Sequence, residues 1–62
     1  MTDLVGKLVK VHLKEPLLKP SRDNFVARLI DIDGDQATFE NKYGMIWAFN
    51  TSVIKSMKIM YL

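Results

Sequence analysis

Between Val5 and Leu13 the apolar side chains Val5, Val9, Val11 and Leu13 fall on odd positions, while Lys10, His12 and Lys14 take even ones. Alternation with a period of two predicts a strand with one buried face. From Val5 to Glu40 the chain reads strand, polar loop, long strand, tight turn, strand. Gly6 allows a bulge or close backbone packing near the start. The loop from Glu15 to Asn24 holds Pro16 and Pro20, which cannot donate to a ladder, and ends in the turn chemistry of Ser21-Arg22-Asp23-Asn24. Phe25 to Ile32 is apolar on both faces except at Arg28 and Asp31. It is expected to be a central strand with core on both sides.

Asp33-Gly34-Asp35 supplies a tight turn, since Gly and Asp tolerate positive φ. Gln36 to Glu40 follows as a short strand with Ala37 and Phe39 on one face. Asn41-Lys42-Tyr43-Gly44 reads as a second hairpin turn. Met45 to Phe49 is a fourth strand with Met45, Trp47 and Phe49 facing one way. Asn50-Thr51-Ser52 is an N-cap cluster, and Val53-Ile54-Lys55 completes a 3₁₀ turn. Ser56 to Leu62 is a closing fifth strand, with Met57, Ile59 and Tyr61 opposite Lys58. No stretch carries helical periodicity. Residues 1–62 are therefore expected to form a single all-β domain, a small, strongly bent, five-stranded antiparallel barrel of SH3-like or Sm-like type. A short 3₁₀ turn precedes the last strand, and closure protects edges that a flat sheet would leave open.

A chain of 62 residues buries only about 60% of the surface its unfolded form exposes. With no cysteine, disulfides and thiolate zinc sites are excluded, as befits a reducing cytoplasm. No apolar run reaches the roughly 18 residues of a membrane span, and Met1-Thr2-Asp3-Leu4, with no basic or apolar region, is not expected to act as a signal peptide. No membrane partner is expected. Nine Lys and Arg against seven Asp and Glu leave a net charge of +2, which permits a nucleic-acid partner without demanding one.

Asp31, Asp33 and Asp35 match a calcium loop only superficially. An EF-hand needs Gly at its sixth position and a bidentate Glu at its twelfth, where this chain has Gln36 and Lys42. The cluster reads as a solvated turn, and no metal or cofactor is expected. His12 is the sole histidine. Without a second His or a Cys it cannot build a typical zinc site, and it lacks an oriented nucleophile to serve as a general base. Asn50-Thr51-Ser52 matches a glycosylation sequon, but capping explains it better. No phosphate loop or paired-carboxylate site is present, so no catalytic residue is assigned and the chain is not expected to be an enzyme.

Lys10, His12, Lys14, Lys19 and Arg22 remain as the candidate contact surface. They either meet RNA phosphates or an acidic partner, or are solubilising charge, diluted by Glu15 and Asp23. Among the aromatics, Phe25, Phe39, Phe49 and Trp47 suit a core. Tyr43 and Tyr61 are the two to test for surface stacking on bases.

The stretch Val5-Gly6-Lys7-Leu8-Val9-Lys10-Val11-His12-Leu13-Lys14-Glu15-Pro16 resembles the start of the C-terminal domain of the ribosome maturation factor RimP. Asn24 to Asp35, an aromatic followed by a strand and an acidic turn, is similar to that family too, as is Ile46 to Lys55 to its final hairpin. Ala27 stands where the family often has Gly, and the resemblance covers the family's C-terminal domain alone. The resemblance implies an Sm-like or SH3-like barrel that binds a ribosomal protein and aids small-subunit assembly. The expected function is thus a non-catalytic module binding RNA or a ribonucleoprotein. The alternative is a protein–protein module that self-assembles through its edge strands, as Sm-like barrels do.

Overall fold

The computed structural model describes residues 2–16 and 22–61. Five strands follow one another: β1 (Leu8–Leu13), β2 (Asn24–Asp33), β3 (Gln36–Glu40), β4 (Ile46–Asn50) and β5 (Ile54–Ile59). Single 3₁₀ turns occupy Thr2–Leu4 and Thr51–Val53. The strands make one antiparallel sheet in the order β4-β3-β2-β1-β5. β2 is central, as expected. The closure expected of a barrel is not seen: among the described residues β4 and β5 are the two ends of the ladder and do not pair with each other.

One face of this sheet carries the core. Val9, Val11 and Leu13 of β1, Phe25, Ala27 and Leu29 of β2, and Ala37 and Phe39 of β3 are buried. Leu4, Ile32, Trp47, Phe49, Val53, Ile54 and Met57 pack against them, half-buried. The Phe25 ring meets Phe39 edge-on, with centroids 5.2 Å apart. Such contacts add to the burial of the rings themselves.

The expectation of core on both faces of β2 is overturned. Val26 is 43% exposed and Ile30 is 37% exposed. No second layer covers the outer face among the described residues, so those apolar residues reflect strand propensity and not burial. A bulge also changes the parity of this strand. Leu29 pairs with Phe39, but Thr38 pairs with Asp31, leaving Ile30 as the extra residue. Beyond the bulge Ile32 turns to the core side, while Asp31 and Asp33 stay exposed. An inserted residue thus keeps both halves of the strand amphipathic.

Other boundaries shift for similar reasons. β1 begins at Leu8, because Gly6 sits at φ 88 in a turn. The Gly6 amide donates to the Leu29 carbonyl at 2.7 Å. The last 3₁₀ turn is Thr51–Val53, with the Asn50 side-chain oxygen accepting from the Ser52 amide at 2.9 Å. β5 consequently starts at Ile54 instead of Ser56. A second bulge makes Lys55 the extra residue between the pairs Leu13–Ile54 and His12–Ser56. Tyr61 lies past the end of β5 and is 87% exposed, so it does not belong to the closing strand. Met45 precedes β4 and is exposed, leaving Trp47 and Phe49 to face the core.

Candidate functional site

β2 is longer than either neighbour, and its two halves are paired differently. β1 pairs with Asn24 to Arg28. β3 pairs with Arg28 to Asp33, its last pair being Glu40 with Arg28. Before Arg28 the β3 side of β2 has no strand beside it among the described residues. The chain turns away there through Asn41, Lys42, Tyr43 and Gly44. The gap is an open cleft of about 610 Å³.

Its walls combine charge with aromatic surface. Phe25, Val26, Ala27 and Arg28 come from β2, Glu40 to Tyr43 from the end of β3 and its turn, and Trp47 from β4. Leu8 and Arg22 complete the lining. Arg22, Arg28 and Lys42 thus stand against the single carboxylate of Glu40. The Arg28 guanidinium donates to the Gly6 carbonyl at 2.6 Å, which fixes its reach and leaves further N–H donors on the same group. Trp47 packs on Phe25, with centroids 5.7 Å apart.

The turn that carries Tyr43 is held from within. The Asn41 side-chain oxygen accepts from the amides of Tyr43 and Met45, both at 2.9 Å. The Asn41 amide in turn donates to the Met45 carbonyl at 2.9 Å, and Gly44, at φ 82, donates to the Asn41 carbonyl at 3.0 Å. Tyr43 is left 77% exposed on a pinned loop, with the Lys42 ammonium 5.3 Å from its ring centre. An exposed ring with a cation beside it and two guanidinium groups in the same cleft can stack a planar group and neutralise anions around it.

The contact surface expected from sequence is divided. Arg22 lines the cleft. Lys10 and His12 lie on the outer face of β1, half-buried between Val26 and Lys58 and between Asn24 and Ser56 respectively. Lys14 is exposed beyond the end of β1, its amide donating to the Val53 carbonyl at 2.8 Å. Lys19 lies outside the described residues. Of the two tyrosines singled out, Tyr43 is in the cleft and Tyr61 is not. Sequence reasoning did not include Arg28, Lys42 and Trp47 in the site. Arg28 was legible as the charge interrupting an apolar strand, but only the pairing of β2 shows that it borders a gap.

The acidic cluster occupies the opposite end of β2. Gly34 at φ 62 makes the hairpin turn. Asp35 ties that turn to β4, its carboxylate accepting from the Asn50 amide group at 3.2 Å and its carbonyl from the Thr51 amide at 2.6 Å. Among the described residues, no group of three or more His, Cys, Asp or Glu side chains is placed to hold a metal ion. No protein-family model, curated protein or solved structure matches the chain.

Proposed function

We propose that this domain is a non-catalytic module that binds single-stranded RNA in the cleft between β2 and the Asn41–Gly44 turn. The observation that carries this reading is the exposed Tyr43 ring on a pinned turn, within one cleft with Arg22, Arg28 and Lys42. Stacking on aromatic rings contributes affinity without requiring a particular base, and cations follow the phosphates. Lys10 extends the basic surface, since its ladder partner Val26 lines the cleft.

The finer fold reading belongs to the same proposal: a small Sm-like or SH3-like barrel, related to the ribosome-maturation domain, acting in the cytoplasm on RNA or a ribosomal protein. The strand order and the 3₁₀ turn before β5 support it. So does the contact of Phe25 with Phe49, 5.8 Å between centroids. These rings belong to strands that are not neighbours, and their approach favours a sheet that folds toward itself.

Fluorescence anisotropy with a short oligouridine tests the reading. Binding should weaken as salt rises from about 50 to 200 mM, with a logarithmic slope near −2 if three cations each neutralise a phosphate, at about 0.7 per contact. Arg22→Glu with Lys42→Glu should weaken binding at least tenfold and leave the unfolding midpoint nearly unchanged. Absence of binding, or binding indifferent to both salt and substitution, overturns the assignment.

A second reading, self-assembly through strand edges, rests on β4 and β5 ending the ladder beside exposed Ile46 and Met60. Unpaired edges accept other strands. A monomeric mass by light scattering at high concentration removes it.

A further inference from the structure

The pairing of β2 says more about how the cleft would treat a bound base. Hydrogen bonds between antiparallel strands alternate, so that successive residues direct their amide and carbonyl to opposite sides. The Leu13 amide donates to the Asp23 carbonyl at 2.6 Å, and the Leu29 amide donates to the Lys7 carbonyl at 3.0 Å. Asp23 and Leu29 therefore face β1, and the register between them runs without a shift. Phe25 and Ala27, of the same parity, face β1 as well. Val26 must direct its N–H and C=O the other way, toward the side that β3 has left. Arg28, of Val26's parity, is where β3 takes up that side through Glu40. Val26 itself lines the cleft and has no strand partner there among the described residues.

Resting on the RNA reading above, we propose that the cleft-facing edge of Val26 binds the Watson–Crick edge of an unpaired base. A backbone amide donor beside a carbonyl acceptor complements a base edge offering one acceptor and one donor. For uracil, the N3–H would donate to the Val26 carbonyl, and a ring carbonyl oxygen would accept from the Val26 amide. Tyr43 supplies a ring for the base to stack on, and Arg22, Arg28 and Lys42 supply cations for the flanking phosphates. The cleft then selects single strands by more than shape, because a base within a duplex has already used the edge that Val26 would engage. An extended acidic peptide adding as a strand is the other occupant such an edge could take. The aromatic ring beside three cations favours the nucleic acid.

Oligouridine is compared with oligo-3-methyluridine, in which a methyl group replaces the N3 hydrogen. The methylated strand keeps its phosphates and its stacking surface, and its bases stay neutral. It should bind about tenfold more weakly, the typical scale for losing a paired set of hydrogen bonds to a base. Equal binding of the two strands overturns the role of Val26 and leaves the RNA reading standing. Failure of both to bind, especially with binding of a peptide of alternating glutamate and valine, overturns the RNA reading itself. Val26→Pro offers a second arm. It deletes the cleft-facing N–H and spares the bonds to β1, which its neighbours make. If circular dichroism shows it folded, it should bind oligouridine about tenfold more weakly, because the ring carbonyl oxygen loses its donor. A folded Val26→Pro that binds oligouridine normally overturns the proposal.

Discussion

The two halves of β2 share one core and have opposite surroundings. Among the described residues, the strand from Asn24 to Ala27 pairs only with β1, and its other side opens on Arg22, Arg28 and Lys42. From Asp31 to Asp33 it pairs with β3, and its exposed residues are acidic, as is Asp35 in the turn beyond. A bulge at Ile30 separates them. A single strand that changes partners thus creates a gap at one end, and the sequence places cations at that gap and carboxylates at the other end. Pairing makes the cleft, and charge gives it a preference.

The largest effect should come from removing what the two halves share. Phe39 is fully buried, pairs with Leu29 at the edge of the bulge between the halves and packs its ring on Phe25 in the first. Phe39→Ala should cost about 3–5 kcal/mol in urea unfolding, by lost burial and the cavity left behind. In a domain this small that approaches its whole stability, and RNA binding should disappear together with the fold. A well-folded Phe39→Ala with intact affinity would mean that the halves are held independently.

Two milder substitutions separate the halves. Asn41→Ala removes the oxygen that accepts two amides under Tyr43, and Gly34→Ala forces a side chain into positive φ in the acidic turn. Space is not at issue at Gly34, since no atom beyond its chain neighbours lies within 4 Å of where a Cβ would stand. Each should cost about 1–2 kcal/mol, the first through lost hydrogen bonds and the second through backbone strain. Only Asn41→Ala should weaken oligouridine binding, because only that turn positions Tyr43, the ring proposed to stack on a base. Equal losses of affinity would show that the measurement follows stability and not the site.

The alternation of β1, the turn at Gly34, the cap at Asn50 and the number of strands were all legible in the sequence, because each depends on neighbours within a few residues. The bulges were not. Ile30-Asp31 reads as a continuous strand, and nothing local tells that Thr38 pairs with Asp31 instead of Ile30. The site was half legible for the same reason. Arg22 and Tyr43 could be singled out as a charge and an exposed ring, but their meeting depends on β2 running past the end of β3. The alternation of β1 puts Lys10 and His12 on the outer face, but it does not tell that flanking strands on both sides leave them half-buried instead of exposed, which lowers their reach toward a partner.

The smallest effect tests whether the acidic half matters to binding at all. Asp33 lies seven residues along β2 from Val26, roughly 20 Å at the rise of an extended strand. In water a unit charge at that distance repels a phosphate by only about 0.2 kcal/mol, and at physiological salt the screening length of about 8 Å removes most of that. Asp33→Asn should therefore leave oligouridine affinity unchanged at physiological salt. At about 0.01 M salt, where the screening length grows to about 30 Å, it should tighten binding slightly, less than twofold. Tightening of threefold or more at physiological salt would place the phosphate path across the acidic turn, and the difference between the halves would then lie along the route of the RNA instead of marking where it stops.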